Sequence, residues 1–247
     1  MTTLVLDIGN TAAKYGCFRG AALAEAGSVA TPAELRAVAQ RVQAEHVLLA
    51  SVAAPADVWA AALGGAVSGK VIVLRPGETP LPIANAYATP HTLGADRLAA
   101  AVGAAHLLPG RPVLIVDAGT CIKCDLVAAD GTFLGGSIAP GLRMRLQAMH
   151  HFTDRLPELA LPSAHDAVTL ALCGTDTRTA MLSGALHGAV AEVNGLLSSY
   201  RQQHPTLAVA LAGGDAAFFE SRLKGHIFVL TELVLLGLHR ILVHNVG

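Results

Sequence analysis

LVLDIGNTAAKYGCF, Leu4 to Phe18, is echoed by LIVDAGTCIKCDLV from Leu114 to Val127, and this approximate internal repeat decides how the chain is organised. Each copy reads as an apolar strand, an aspartate, a glycine-containing turn and a second strand. Leu4 to Leu6 and Val113 to Val116 are apolar at successive positions, the pattern of a central strand covered on both faces. Between the copies, strands are expected near His46 to Ser51 and Lys70 to Leu74, then an Ala-rich helix that opens after Thr92 and runs to about Leu108. After the second copy, Gly131 starts a strand and Pro140-Gly141 opens a helix. A long helix is expected from about Thr177 to Gln203, with Ala180, Gly184, Gly188 and Val190 to Val193 on its packed face. Strand Ala208 to Leu211, the Gly213-Gly214 turn, a short helix, strand Ile227 to Leu230 and a final helix complete the pattern. Strands alternating with helices in two similar halves, 1–109 and 110–247, predict an α/β fold with a site between them.

Composition narrows the function classes. The chain has 247 residues, 53% of them hydrophobic, which is ample material for a buried core. The most apolar stretch, Ile227 to Val243, is interrupted by Glu232, His239 and Arg240 before it could span a bilayer, so it reads as a buried helix. The opening residues show no basic region followed by an apolar core, so a cytoplasmic location is expected by default. A formal charge of −1 without a Lys/Arg run gives no footprint for nucleic acid. Cys17, Cys121, Cys124 and Cys173 are too few for a secreted disulfide framework. Cys121 and Cys124 form a CxxC, but on one strand positions three apart point to opposite faces, which suits packing better than a shared metal. His150-His151 lacks metal-ligand spacing, so any metal should be held by carboxylates.

Two Asp-Gly turns facing one cleft suit phosphate chemistry. Small residues let backbone N–H groups approach phosphoryl oxygens, and a carboxylate can hold hydrated Mg²⁺. Asp7, Gly9, Asn10, Thr11 and Lys14 supply these elements in the first copy, and Asp117, Gly119 and Thr120 in the second. Either turn alone is ordinary; the pair, each after an apolar strand, is far more specific. A third small-residue segment, Leu211 to Ala216, could let an adenine approach the backbone. Tyr87 and the run from Thr92 to Arg97 form the candidate acceptor site. Thr92 could cap the helix, leaving Asp96 in its first turn, where the helix dipole favours a carboxylate able to accept a hydroxyl proton. Arg97 could bind an acidic substrate through a bidentate pair. The plainer reading of this segment is a capped helix with a surface ion pair.

The motif order over nearly the whole chain resembles type III pantothenate kinase. DIGNTAAK from Asp7 to Lys14, GADR from Gly94 to Arg97, DAGT from Asp117 to Thr120 and GGSIAPG from Gly135 to Gly141 carry the resemblance, with Thr153, Leu156, Pro157 and Thr177 at fitting positions. The resemblance implies an acetate and sugar kinase/Hsp70/actin-like (ribonuclease H-like) fold: duplicated domains, each with a mixed central sheet, and an interdomain cleft, in a homodimer. It implies transfer of the ATP γ-phosphate to pantothenate, with Asp96 as general base. Tyr87, Gly94, Ala95, Asp96, Arg97 and Thr177 would hold pantothenate. Asp7, Ile8, Gly9, Asn10, Thr11, Ala12, Ala13, Lys14 and Thr120 would contact ATP. Mg²⁺ would accompany the triphosphate, and a monovalent cation, K⁺ or NH₄⁺, would map onto Asp117.

The second phosphate segment departs from the commonest family form, which has Ala at Cys121 and Thr at Lys123. The lysine adds a charge and removes a hydroxyl, so retained activity with altered cation dependence is expected. Two other readings stand beside the leading one: a kinase for another small hydroxy acid, and a catalytically silent binding or regulatory protein of the same fold. The latter does not require a carboxylate beside the acceptor.

Overall fold

A computed structural model describes residues 1–53, 55–162 and 170–247. Its strands are β1 (Thr2–Ile8), β2 (Ala13–Arg19), β3 (Ala22–Val29), β4 (His46–Ser51), β5 (Val71–Val73), β6 (Val113–Ala118), β7 (Cys121–Val127), β8 (Phe133–Pro140), β9 (Ala208–Ala212) and β10 (Phe228–Val229). The helices are α1 (Pro32–Val42), α2 (Ala56–Ala62), α3 (Ala95–Leu107), α4 (Leu142–His151), α5 (Thr177–Gln203), α6 (Ala216–Glu220) and α7 (Leu233–Val246).

The repeat seen in the sequence is a repeat of topology. One sheet has the order β3-β2-β1-β4-β5 and the other β8-β7-β6-β9-β10, so the central strand of each is the one that ends in the Asp-Gly turn. Both sheets of this α/β fold lead from that strand to a hairpin partner on one side and a parallel strand on the other: β4 beside β1, β9 beside β6. Contacts group the described chain into two compact units. One is Met1–Gly110 with Val127–Gly135 and Glu232–Gly247; the other is Arg111–Leu126 with Gly136–Thr231. These units differ from the sequence halves 1–109 and 110–247 at 127–135 and at 232–247. The second difference follows from the apolar face of α7, which packs on α3 and β1.

In the first unit, alternate residues of β1 enter different cores. Leu4, Leu6 and Ile8 pack with Leu35 of α1 and Trp59 of α2. Val5 packs instead with Ala95 and Ala99 of α3 and Leu238 and Ile241 of α7. This is why Leu4 to Leu6 are apolar at successive positions rather than at every second one. In the second unit, Leu114, Val116 and Ala118 of β6 share a core with Ile122 and Cys124 of β7, Ala189 and Val193 of α5 and Phe219 of α6.

Helix α5 has the bounds expected from the sequence, held at its start by Asp176, whose carboxylate accepts from the Thr179 N–H at 3.0 Å. Its packed face differs from expectation. Ala180, Gly184 and Gly188 are exposed, whereas Met181, Leu182, Ala185, Leu186, Ala189, Val193 and Leu197 are buried. The larger side chains bury more apolar area per residue and so turn inward, leaving the small ones outside.

One buried titratable group gives the first unit a pH-dependent stability. His239 on α7 is 2% exposed, stacks on Phe18 with centroids 4.0 Å apart and shares a 3.0 Å hydrogen bond with the Thr3 hydroxyl. Burial, aided by Arg240, pushes its pKa down to about 4. The unfolded chain takes up this proton near pH 6.5, whereas the folded chain resists until about 4. Stability is therefore complete above the unfolded value and falls as pH drops between the two, by about 3 kcal/mol at most. Chemical denaturation across that window should show the loss, and His239→Leu should flatten this part of the profile; an equally steep variant would rule the histidine out. Among the described residues, no helix is long and apolar enough to cross a membrane.

Candidate active site

The first glycine turn closes the β1–β2 hairpin. Asp7 pairs with Lys14 and Ile8 with Ala13 across the ladder, and the Gly9 N–H donates to the Ala12 carbonyl at 3.1 Å. Asn10, Thr11 and Ala12 project from the hairpin tip as exposed residues, with Lys14 also exposed just beyond. Backbone amides and small side chains thus lie open at the end of a rigid sheet, the arrangement a phosphate chain can approach. Asp7 follows Val5 at a spacing of two and shares its sheet face, the one covered by α3. Its Oδ1 is buried.

Helix α3 carries the candidate residues Gly94 to Arg97 at its start, on the same unit. Its N-cap is Gly94, not Thr92, which lies in a 3₁₀ turn with its hydroxyl donating to the Thr89 carbonyl at 2.9 Å. A side chain at Gly94 would meet the Asp96 carboxylate, its Cβ lying 2.6 Å from Oδ1. The missing side chain therefore leaves room for Asp96 to fold back over the helix start, where Oδ1 accepts the Arg97 N–H at 2.8 Å. A negative charge in this first turn is favoured by the helix dipole.

Arg97, 4% exposed, is flanked by aromatics. Its guanidinium carbon lies 5.5 Å from the Tyr87 ring centroid and 5.9 Å from that of Phe133. Phe133 is tied to the Tyr87 segment by two backbone bonds: its N–H donates to Ala84 and its carbonyl accepts from Ala86, each at 2.9 Å. Gly135, at φ +101°, leaves room for the Tyr87 ring, which would lie 3.1 Å from a Cβ there. GGSIAPG thus begins by seating the Tyr87 ring. Phe133 was not foreseeable, since a single aromatic at a strand start reads as ordinary core.

In the second unit, three glycine-bearing segments meet at the carboxyl ends of β6 and β9, where open α/β sheets bind ligands. The Gly119 N–H donates to Cys121 at 3.0 Å, closing the DAGT turn, and Thr120 is exposed. Gly213, at φ +94°, lies so close to β6 that a Cβ would sit 2.2 Å from the Ala118 carbonyl and 2.6 Å from Asp117 Oδ1. Gly141 caps α4 and approaches the same turn, a Cβ there falling 2.2 Å from the Gly119 carbonyl. Gly214 has open space beside it. Asp215, next in the chain, is pushed toward its neutral form by burial, with Arg143 opposing.

Asp117 and Lys123 face each other on the side of this sheet away from the Leu114–Val116–Ile122–Cys124 core. Lys123 Nζ lies 2.7 Å from Asp117 Oδ2, and the side chains are only 15% and 17% exposed. Cys124 points into the core and burial pushes its thiol up to about 12, while Cys121 is half-buried on the opposite face. Thr177 is exposed in the first turn of α5. His150 shares a 2.8 Å hydrogen bond with the Leu156 carbonyl, and His151 packs edge-on against Phe152.

A model of the type III pantothenate kinase family matches residues 3–199. The chain belongs to that family. The type III pantothenate kinase of Cytophaga hutchinsonii is 42% identical over 246 residues, covering 98% of this chain and 99% of that one. That of Phocaeicola vulgatus is 40% identical over 244 residues, 98% of each. Among solved structures, the ROK hexokinase of Thermus thermophilus aligns over 100% of both chains with a TM-score of 0.52 at 18% identity. That likeness and the duplicated sheet order make the fold actin-like. As a type III pantothenate kinase family member, the chain carries each of the motifs quoted above on the elements just described.

Proposed function

We propose that this chain transfers the γ-phosphate of ATP to the terminal hydroxyl of pantothenate, giving 4′-phosphopantothenate for coenzyme A synthesis. The observation that carries the reading is the first turn of α3, where an aspartate and a buried, aromatic-flanked arginine are adjacent in sequence on the sheet face that Asp7 shares. Asp96 orients the hydroxyl and takes its proton as the oxygen–phosphorus bond forms and the bond to ADP breaks. Arg97 holds the carboxylate of pantothenate through its planar fork, with Tyr87, Gly94, Ala95 and Thr177 completing that substrate's contacts. Asp7 to Lys14 and Thr120 contact the nucleotide. Asp7, at the end of β1, is the carboxylate to hold the water shell of a Mg²⁺ that offsets triphosphate charge. The monovalent cation expected at Asp117 meets Lys123 already in place.

A homodimer is part of the same proposal, and the exposed small-residue face of α5 at Ala180, Gly184 and Gly188 would let two chains approach closely; a monomer mass by sedimentation would count against it. The enzyme would work in the cytoplasm. A coupled ADP-release assay comparing pantothenate with similar hydroxy acids tests substrate choice. Pantothenate should give the highest kcat/KM, and Arg97→Lys should raise its KM about tenfold or more by losing the bidentate geometry. Equal rates with acids of other shapes, or an unchanged KM in the variant, would overturn the assignment of Arg97.

A further inference from the structure

Beside Asp117, the chain carries its own cation. Residues 121, 123 and 125 of β7 lie on one sheet face and residues 122 and 124 on the other, so Lys123 has Asp125 as its neighbour along the strand. Asp125 is a carboxylate of 2% exposure. Across to β6, the lysine reaches Asp117 at 2.7 Å. The ammonium and the Asp117 carboxylate thus pair across the two strands that lead into and out of the Gly119-Thr120 turn. The pair is enclosed: Gly213 closes against Asp117, where a Cβ would lie 2.6 Å from Oδ1. A free monovalent cation bound to Asp117 would have to share that carboxylate with a like charge at contact distance, inside a site with little water to screen the repulsion. The residues present do not fit such an ion.

We propose that Lys123 replaces the monovalent cation at the second phosphate turn, so that this enzyme works without added potassium or ammonium. The proposal rests on the pantothenate kinase reading for its kinetic arm only. A lysine ammonium is a compact, strongly hydrated point charge on a flexible stem, similar in charge and donor–acceptor distance to the ions it would displace. Held by the sheet, it is present at every turnover, whereas a free ion must be bound from solution. Lys123 touches no reacting atom in this account; it is a positioning residue that fixes the charge at Asp117 and with it the DAGT turn.

The test compares the intact protein with Lys123→Met, which keeps the stem and removes the charge, and with Lys123→Thr, the commonest family residue. Wild-type rates in sodium or choline salts should change less than about twofold when potassium or ammonium replaces them at equal ionic strength. Both variants should fall about tenfold or more without those ions and recover when they are added. Melting supplies a readout independent of activity: potassium should raise the melting temperature of the variants above that in sodium, and leave the wild type unmoved. A wild-type rate that rises and saturates with potassium would overturn the proposal, as would variants whose rate and melting both ignore potassium. If the wild type phosphorylates no pantothenate under any salt, the kinase reading fails instead, and the melting comparison still decides whether Lys123 occupies a cation's place.

Discussion

Replacing Asp96 with Asn should lower kcat roughly a hundred- to ten-thousand-fold, the range for loss of a positioned general base. The substitution is nearly isosteric. Its side-chain oxygen can still accept the Arg97 N–H that Asp96 Oδ1 accepts at 2.8 Å, so the first turn of α3 keeps its shape. What disappears is the capacity to take a proton and the negative charge that aligns the hydroxyl. ATP affinity, measured by calorimetry without acceptor, should hold within about twofold, because the nucleotide contacts are assigned to the glycine turns. A kcat near the wild-type value would remove Asp96 as base, and a parallel loss of ATP binding would make its role structural.

The second large effect is expected far from any substrate, where α3 and α7 cross. A Cβ on Gly237 would lie 1.8 Å from the Ala99 carbonyl, and one on Gly103 would lie 2.6 Å from the Leu233 carbonyl. Two glycines thus let the backbones of the helices touch, and neither obstructing atom is a flexible side-chain end that could swing away. Gly237→Val must push the helices apart and open the core of Val5, Ala99, Val102, Leu238 and Ile241. A cost of about 3 kcal/mol is expected for such overpacking, which corresponds to a fall in melting temperature of roughly 6–12 °C for a chain of this size. Because α3 carries Asp96 and Arg97, any folded fraction should also turn over more slowly. Equal melting of Gly237→Val and wild type would mean that the helices do not depend on this contact.

These features were unequally legible in the sequence. β1, β4, β6 and β9 announce themselves as continuous apolar runs because each is covered on both faces, and the duplicated Asp-Gly turns follow directly from their ends. β3 does not stand out: its burial alternates along Ala22–Val29, and the residues are small or polar, as suits an edge strand. α1 carries a start signal at Thr31, whose hydroxyl accepts the Glu34 N–H, yet its buried stripe consists of Leu35 and Ala39, too little apolar periodicity to announce a helix.

In the site, local motifs were readable and the contacts between distant residues were not. GADR could be placed at a helix start from its spacing, but the true cap at Gly94 depends on the fold-back of Asp96, which no propensity encodes. Arg97 could be read as a carboxylate binder, whereas its flanking by Phe133 depends on strand pairing between residues more than thirty apart. Lys123 stands out in the sequence as a departure from the commonest family form of the second phosphate segment. Its contact with Asp117 became visible only once β6 and β7 were neighbours, since the hairpin register brings the ammonium to the carboxylate.

Identifying the product made from ATP and pantothenate tests the central claim most directly. Phosphorus NMR of the reaction mixture should show one new monoester resonance growing in step with ADP, and mass spectrometry should place the added phosphoryl group on the terminal hydroxyl of pantothenate. Release of inorganic phosphate instead, or no pantothenate-dependent loss of ATP, would contradict it.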